Sequence, residues 1–176
     1  MRILEVRRHS HRHSPALHLS QTGVDLARRV GAGPGKFDRV ITGTLPRAFE
    51  TAIAMGYAVD EQIDQLSTMS ADIAAEIQWN AGFIAWLNAA QNSPVVAQYT
   101  QVMADVLRSL VRTLPEGGRA LIISHGGIVE ASVIGCVPAE TRFADDDPCG
   151  YCEGARLTFD GDGVTHIEML RVEQPR

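Results

Sequence analysis

An arginine and a histidine, Arg8 and His9, stand where the first apolar run of the chain ends. Residues 2–8 have the pattern of a short strand, and polar groups at the carboxyl end of a strand in an α/β protein face the crevice where ligands bind. Two later segments repeat this arrangement. TGTLPRAFETA places Arg47 at the start of a helical pattern, and ALIISHGGIVEA brings a second apolar strand to His125 and a glycine pair. The types and order of these residues indicate one shared site.

Two guanidinium groups and two imidazoles in one crevice would form a compact cationic pocket. Planar guanidinium forks bind pairs of phosphate oxygens, and phosphoryl transfer depends mainly on charge stabilisation and on in-line approach of a nucleophile. A neutral imidazole carries no charge that a phosphate would repel. Nearby arginines disfavour the imidazolium form of His9, so His9 is a potential nucleophile near neutral pH. These residues predict a site for phosphoryl chemistry.

Alternating strand and helix patterns position these residues in the first part of the chain. The strand at 2–8 precedes a helix at about 20–32, for which Ser20 is the candidate N-terminal cap. A strand at about 38–42 then precedes a helix at about 45–56. Such alternation is typical of a parallel sheet covered by helices.

The rest of the chain adds a long helical region, a second ligand-facing strand and a hairpin. Apolar residues recur at helical spacing over about 70–91 and 95–113, and the apolar run 120–123 then leads to the second histidine and a further helix. The tail alternates on either side of the Asp-Gly-Asp-Gly sequence at 160–163, which is a hairpin signal. We therefore predict an α/β fold: a three-layer α/β/α sandwich with a mostly parallel sheet and an antiparallel edge.

This fold makes a prediction about the site. The strand ends near Arg8 and Ser124 should be neighbours in the sheet. His9 and His125 would then lie within the reach of one phosphate and its hydrogen bonds, about 10 Å or less.

Length and composition are those of an ordinary globular chain. With 176 residues and 45% hydrophobic content, it can bury a core as a single domain over residues 1–176. The formal charge of -5 and the pI near 5.6 argue against nucleic acid or an anionic membrane as partner. The chain begins directly with a strand pattern and has no apolar run near the ~18 residues of a membrane span, so a cytoplasmic location is expected.

Four short motifs, in this order, resemble those of the histidine phosphatase superfamily, which has the phosphoglycerate mutase-like fold. The family's Arg-His-Gly corresponds to Arg8-His9-Ser10, and its Leu-[Ser/Thr]-x-x-Gly to residues 19–23. Its [Ser/Thr]-x-x-x-Arg-Ala-x-x-Thr-Ala motif begins at position 42 or 43, and its Ser-His-Gly-Gly stands at 124–127. The resemblance covers nearly the whole chain.

The resemblance implies that His9 is phosphorylated during turnover and that Arg8, Arg47 and His125 hold the phosphoryl group being transferred. It also implies that no metal or organic cofactor is required. We predict a phosphatase that hydrolyses a phosphomonoester or phosphohistidine through a covalent phosphohistidine intermediate, with a small phosphorylated metabolite or a phosphoprotein as substrate. The alternatives are a phosphomutase of the same fold and a non-catalytic member that binds a phosphorylated ligand.

The chain departs from the family pattern in three places. The Asn that is common several residues beyond the first histidine is absent, and Pro15 stands near that place. Ser10 replaces the family glycine and adds a side chain where backbone should approach the phosphate. Family members have a Leu-x-Glu some two dozen residues past the second arginine, whereas residues 66–68 read Leu-Ser-Thr. Asp72 is our candidate for protonating the leaving oxygen, and Glu76 is an alternative. Alternatively, both carboxylates only cap and solubilise a helix, and water protonates the leaving group. Without an acid, good leaving groups such as phosphohistidine or aryl phosphates would be preferred.

Alternating histidines after the first strand offer a different kind of site. In an extended segment His9, His11 and His13 could face one side and bind zinc, with His18 nearby. The curvature from strand to loop should scatter these side chains, and Arg12 stands between two of them. We therefore interpret them as surface residues or as the rim of the phosphate pocket, and predict no metal.

The three cysteines, Cys136, Cys149 and Cys152, are an odd number near the end of the chain and form no disulfide framework. Cys149 and Cys152 have the spacing of a redox pair or of half a zinc site. A redox pair normally opens a helix that stabilises the thiolate, whereas a strand pattern follows here, and a second pair is lacking. We interpret them as loop cysteines.

Overall fold

The chain folds around a six-stranded mixed sheet in the computed structural model, which describes residues 1–78, 80–144 and 146–174. The strands are, in chain order, β1 (Arg2–Arg8), β2 (Arg39–Thr42), β3 (Glu61–Gln62), β4 (Arg119–Ser124), β5 (Gly154–Asp160) and β6 (Gly163–Leu170). Their order across the sheet is β3-β2-β4-β1-β5-β6. The β1–β4, β2–β4 and β2–β3 pairs are parallel, whereas β5 is antiparallel to both of its neighbours. The predicted sheet, mostly parallel with an antiparallel edge, is confirmed.

Helices cover both faces of this sheet. They are α1 (Gln21–Gly31), α2 (Pro46–Ala54), α3 (Ala71–Glu76), α4 (Phe83–Asn92), α5 (Pro94–Thr113) and α6 (Ile128–Cys136). Successive strand residues point to opposite faces: Leu121 and Ile123 pack against α1 and α2, whereas Ala120 and Ile122 belong to the larger core beneath α3 to α6. The fold therefore has the three predicted layers. Within the described ranges, no helix combines the length and apolar character that crossing a bilayer requires.

Most element boundaries lie within a few residues of those expected from the sequence. Ser20 caps α1, its Oγ accepting a hydrogen bond from the Gly23 amide at 3.1 Å. The hairpin turns at 161–162, where Gly161 has a φ of +57°. β3 was not expected, because a strand of two residues is too short to carry an alternating pattern.

The predicted helix over 70–91 is wrong, because the structure has two helices there. α3 ends at Glu76, and Ile77 is already extended with φ -146° and ψ 140°. Asn and Gly residues, which favour turns, stand at 80 and 82, and α4 begins directly after Gly82. A Cβ at Gly82 would overlap the carbonyl oxygen of Asp146, so close backbone packing requires glycine at this break.

Candidate active site

The pairing of β1 with β4 brings the two histidines together. Arg8 is in register with Ser124, and the His9 amide donates to the Ser124 carbonyl at 2.8 Å. His9 and His125 thus leave the sheet side by side, with ring centroids 5.0 Å apart and ring planes at 57°. The prediction that both imidazoles lie within the reach of one phosphate is confirmed.

The start of α2 brings Arg47 to the same place. Its Nε donates to Nε2 of His9 at 3.1 Å. One helical turn later, the Thr51 hydroxyl donates to the Arg47 carbonyl at 2.6 Å and accepts from the Ser10 amide at 2.8 Å. The Arg-Ala-x-x-Thr spacing therefore has a structural reason, since it fixes α2 against the loop that carries the first histidine.

Hydrogen bonds and burial set the protonation state of His9. Its Nδ1 lies 2.7 Å from the Ser10 carbonyl, which can only accept, so Nδ1 carries the proton and Nε2 keeps a lone pair. Burial lowers the pKa of His9 to about 2, with smaller contributions from His125, Arg47 and Arg8. His9 therefore presents a neutral imidazole whose unprotonated Nε2 can act as a nucleophile once the hydrogen bond that it accepts from Nε of Arg47 is broken.

His125 is also held neutral. It is only 6% exposed, and burial, followed by the charges of Arg47 and Arg8, lowers its pKa to about 3. Neither ring nitrogen has a hydrogen-bond partner in the part of the chain that the structure describes. Buried polar atoms of this kind normally find partners, so His125 is ready to bond an oxygen that enters the pocket.

The loop from Cys149 to Glu153 fixes Arg8. Nη1 of Arg8 donates to the Cys149 carbonyl at 2.8 Å, and its guanidinium lies over the Tyr151 ring, 4.6 Å from the centroid. The Arg8 backbone bonds the same loop, accepting from the Cys152 amide and donating to the Glu153 carbonyl. This loop therefore forms one wall of the site.

Both cysteines of this loop are buried and unbridged. Burial raises the pKa of both thiols, for Cys152 to about 11. Such thiols are neutral at pH 7 and lack the thiolate that redox chemistry needs. Their geometry agrees with the interpretation as structural loop cysteines.

Glu130 connects this loop to the turn that follows His125. It is 1% exposed; its Oε2 accepts from the Gly127 amide at 2.7 Å and its Oε1 from the Cys149 amide at 2.8 Å. Burial raises the pKa of this carboxyl group. One carboxylate therefore joins the glycine turn to the loop whose carbonyl holds Arg8, a role that sequence reasoning missed.

Together these elements form an open pocket of about 360 Å³ at the carboxyl ends of β1 and β4. This volume is at the lower end of the range for small-molecule sites. Three arginines and two histidines line it, and no carboxylate does so among the described residues; the lining consists of Arg8, His9, Arg12, Ser14, Arg47, His125, Gly126 and Tyr151. Sequence reasoning missed Arg12 and Tyr151. Arg12 stands only four residues after Arg8, which was an available signal, whereas Tyr151 had none.

The serine that replaces the family glycine does not line the pocket. Ser10 is fully buried, and its hydroxyl donates to the Gly23 carbonyl of α1 at 2.6 Å. Its side chain thus bonds α1. The expectation that it would meet the phosphate is wrong, since the loop turns this residue inward.

The candidate acids are not among the residues that line the pocket. Asp72 is exposed in the first turn of α3, and Glu76 is exposed at its end. Neither belongs to the residues that line the cationic pocket. Thr68, at the position of the family glutamate, is also exposed. The structure therefore brings together Arg8, His9, Arg47 and His125, and no carboxylate joins them among the residues it describes.

The alternating histidines are not all scattered as predicted, because the rings of His11 and His13 lie edge to face with centroids 5.4 Å apart. Their ring nitrogens nevertheless have different partners. Nδ1 of His9 bonds the backbone, Nδ1 of His11 lies 2.7 Å from the Ser20 hydroxyl, and Nδ1 of His18 bonds Glu50. Among the residues with described positions, no three His, Cys, Asp or Glu side chains are arranged to hold a metal ion.

Comparison with known proteins identifies the fold. No protein-family model matches the sequence, and no curated protein does. Solved structures are similar over nearly the whole chain. A phosphoserine phosphatase from Entamoeba histolytica, in complex with 3-phosphoglyceric acid, has a TM-score of 0.69 at 16% identity, covering 99% of both chains.

Two further structures share this architecture. The protein histidine phosphatase SixA, complexed with tungstate, has a TM-score of 0.62 at 17% identity over 96% of both chains. A phosphoglycerate mutase from Bacillus anthracis has a TM-score of 0.63 at 14% identity over 96% of this chain and 92% of that one. The fold is therefore the phosphoglycerate mutase-like fold, as the motifs predicted.

Proposed function

We propose that the protein is a phosphatase of the histidine phosphatase type, with His9 as nucleophile and Arg8, Arg47 and His125 as the groups that bind the phosphoryl oxygens. The observation that carries the proposal is the neutral Nε2 of His9, which lies 3.1 Å from Nε of Arg47 and next to the unpartnered ring of His125. The nucleophile and the groups that stabilise charge thus lie next to one another. A cytoplasmic location remains a prediction of the sequence.

The reaction proceeds in two displacements. Nε2 of His9 attacks phosphorus and the N–P bond forms. The bond from phosphorus to the leaving atom, an oxygen in a phosphomonoester or a nitrogen in phosphohistidine, breaks as the two arginines and His125 stabilise charge on the other oxygens. Water then attacks the phosphorus of the phosphohistidine, a P–O bond forms as the N–P bond breaks, and Nε2 regains its lone pair. The protons of the attacking water leave with the phosphate or pass to solvent. Nδ1–H stays on the Ser10 carbonyl throughout and keeps the ring in place.

The pocket lining favours substrates that need no protein acid. Because no described carboxylate lines the pocket, a leaving group of low pKa departs more readily than an alkoxide. Aryl phosphates and phosphohistidine have such leaving groups, and the structural neighbour SixA is a protein histidine phosphatase. We propose these two classes as the first substrates to assay.

Trapping of the intermediate tests the proposal. Wild-type enzyme quenched during turnover of a ³²P-labelled aryl phosphate should carry an acid-labile, base-stable label. His9→Ala should lose both label and turnover, whereas His166→Ala, a variant of an exposed histidine on β6, should retain both. A chelator should leave the rate unchanged.

Three outcomes would contradict parts of this scheme. Full activity in His9→Ala would refute the nucleophile. Activity that a chelator removes and zinc restores would point to a metal mechanism instead. Phosphate binding without any turnover would identify a non-catalytic binder.

A further inference from the structure

A second cleft, on the α1 side of the sheet, is also rich in arginine. It has a volume of about 360 Å³ and lies between the end of α1, the paired strands β5 and β6, and the segment that follows them. Its described lining has no residue in common with that of the phosphoryl pocket. Four arginines and no carboxylate belong to this described lining; the arginines are Arg7, Arg29, Arg156 and Arg171.

One buried carboxylate lies at the base of this cleft. Glu5 is fully buried on β1, and its Oε1 accepts from Arg119 and Arg156. Its Oε2 accepts from Nε and Nη2 of Arg7 at 3.3 and 3.1 Å. In the described chain, the only other carboxylate that pairs with these arginines is Glu168, which pairs with Arg156. Three guanidinium groups therefore share two carboxylates.

Arg29, in the last turn of α1, adds a guanidinium that pairs with no carboxylate in the part of the chain that the structure describes. Its Nη2 donates to the Glu173 carbonyl at 2.6 Å, and its Nε and Nη1 have no partner there. Arg171 is paired with Glu153 and is left out of the comparison. Arg29 and the three arginines around the buried carboxylate thus face two carboxylates, which leaves two positive charges unmatched.

The missing counter-charge matters most at Arg7, because this residue is only 5% exposed. A buried charge is normally matched by a partner of opposite sign, and Arg7 shares Glu5 with two other arginines. A guanidinium group has five N–H donors. The bonds to Glu5 use two of them and the bond to the Cys152 carbonyl uses a third. An anion in the cleft would supply the missing charge and accept from the donors that remain.

The rest of the lining is largely apolar, with Val30, Pro34, Leu170 and Val172 beside the arginines. We propose that the cleft binds a small organic dianion, a phosphate ester or a dicarboxylate. Its charged groups would lie at Arg7 and Arg29, whose planar forks match pairs of anionic oxygens, and its apolar part would contact the valines. Orthophosphate and vanadate lack an apolar part and should bind this cleft much more weakly.

Calorimetry with dianions that cannot be hydrolysed tests the inference. The probes are phenylphosphonate and isophthalate, at a pH where both are dianions, and isophthalamide is the neutral control. Vanadate is present throughout to occupy the phosphoryl pocket. We expect saturable binding of at least one dianion at one site per chain and no binding of isophthalamide. The tighter of the two probes identifies phosphate or carboxylate as the preferred group.

Variants assign the binding to this cleft. Arg29→Gln should raise Kd about tenfold or more, since charge-assisted hydrogen bonds are lost. Arg28→Gln is the matched control, because Arg28 is in the same turn of α1 but outside the described lining and pairs with Asp25. It should leave Kd unchanged. Arg29 is chosen because its exposed side chain can be replaced without disturbing Glu5, whereas replacement of buried Arg7 can unfold the chain.

The inference and the proposed function can fail separately. Arg47→Ala should retain dianion binding, and Arg29→Gln should retain kcat/KM for an aryl phosphate. If no aryl phosphate is cleaved but dianion binding persists, the hydrolase proposal fails and the arginine cleft stands. The inference is overturned if neither dianion binds saturably, if isophthalamide binds equally well, or if Arg28→Gln weakens binding as much as Arg29→Gln. Loss of binding in Arg47→Ala would assign the probes to the phosphoryl pocket and would also overturn it.

Discussion

The two histidines of the site are neutral in the folded state, and this lowers the stability of the fold at acidic pH. The pKa of His9 is lowered to about 2 and that of His125 to about 3, chiefly by burial. Both rings therefore stay neutral in the folded state at pH 5. In the unfolded chain a histidine with a pKa near 6.5 takes up a proton below that value.

This difference predicts acid destabilisation below about pH 6.5. Because the unfolded state binds more protons between pH 6.5 and the folded pKa values, the free energy of unfolding falls as the pH falls. Each histidine should contribute a loss of about 2 kcal/mol between pH 7 and pH 5. Urea unfolding at pH 7 and pH 5 measures this. The decrease in the free energy of unfolding should be smaller for His125→Asn than for wild type by about 2 kcal/mol. Equal losses would contradict the assigned protonation state.

Substrates with different leaving groups test whether Asp72 is a general acid. A general acid would matter for an alkyl phosphate and not for nitrophenyl phosphate, so Asp72→Asn would cut only the former rate, by about 10²-fold or more. Because Asp72 is exposed and outside the pocket lining, we expect both rates to stay within about twofold of wild type, as for Glu76→Gln. Assays of both variants on both substrates measure this, and a loss confined to the alkyl phosphate in Asp72→Asn would assign it as the acid.

At this scale, the sequence predicted those residues that directly follow a regular element. His9 and His125 could be predicted because each comes at the end of an apolar strand, whose pairing determines where it ends. Tyr151 could not, and the spacing of Arg12 from Arg8 was only a weak signal, since the direction of a side chain in an irregular loop depends on tertiary contacts such as the stacking of Arg8 on Tyr151. Ser10 was misjudged for the same reason.

At the scale of elements, the boundaries of helices and strands could be predicted where a capping or turn residue marks them. α1 could be predicted at its start because Ser20 is a strong cap, and the hairpin because glycine occupies its turn. The break between α3 and α4 could not, since helical spacing continues through it while Gly82 packs against a distant segment at Asp146. Long-range packing of this kind leaves little local signal.

Glu130 should couple the elements of the site. Glutamine at this position keeps only one acceptor oxygen for the two amides of Gly127 and Cys149, and leaves one of them facing an NH₂ group. We expect Glu130→Gln to lower the free energy of unfolding by about 1–3 kcal/mol and to lower kcat, because the loop of Cys149 holds Arg8. Urea unfolding and steady-state kinetics measure both effects.

Glu140→Gln provides the matched control, since Glu140 is an exposed glutamate just past the end of α6. It should change neither stability nor kcat. Stability and turnover in Glu130→Gln that match this control would show that the carboxylate does not couple the two segments.

At the scale of the whole molecule, the charges of the site oppose those of the rest. The chain has a formal charge of -5, yet its arginine-lined pocket contains no carboxylate in the described lining. The average field therefore does not attract an anion, and binding must come from short-range hydrogen bonds and local charge. Composition alone does not indicate this pocket, because a net charge does not say where individual charges lie.

An anion that binds in this pocket should therefore stabilise the fold beyond the general effect of ionic strength. A ligand that binds only the folded state raises the free energy of unfolding by about 2.7 kcal/mol at 100 times its Kd, which corresponds to a rise in Tm of roughly 5–10 °C for a chain of this size. We expect orthophosphate or vanadate to produce such a rise in wild type, and sodium chloride at equal ionic strength to produce none. Arg47→Ala should abolish the rise, because it removes a guanidinium at His9, whereas Arg28→Ala should retain it. A rise that chloride reproduces, or that persists in Arg47→Ala, would show that the anion acts on the surface charge of the whole molecule and not in this pocket.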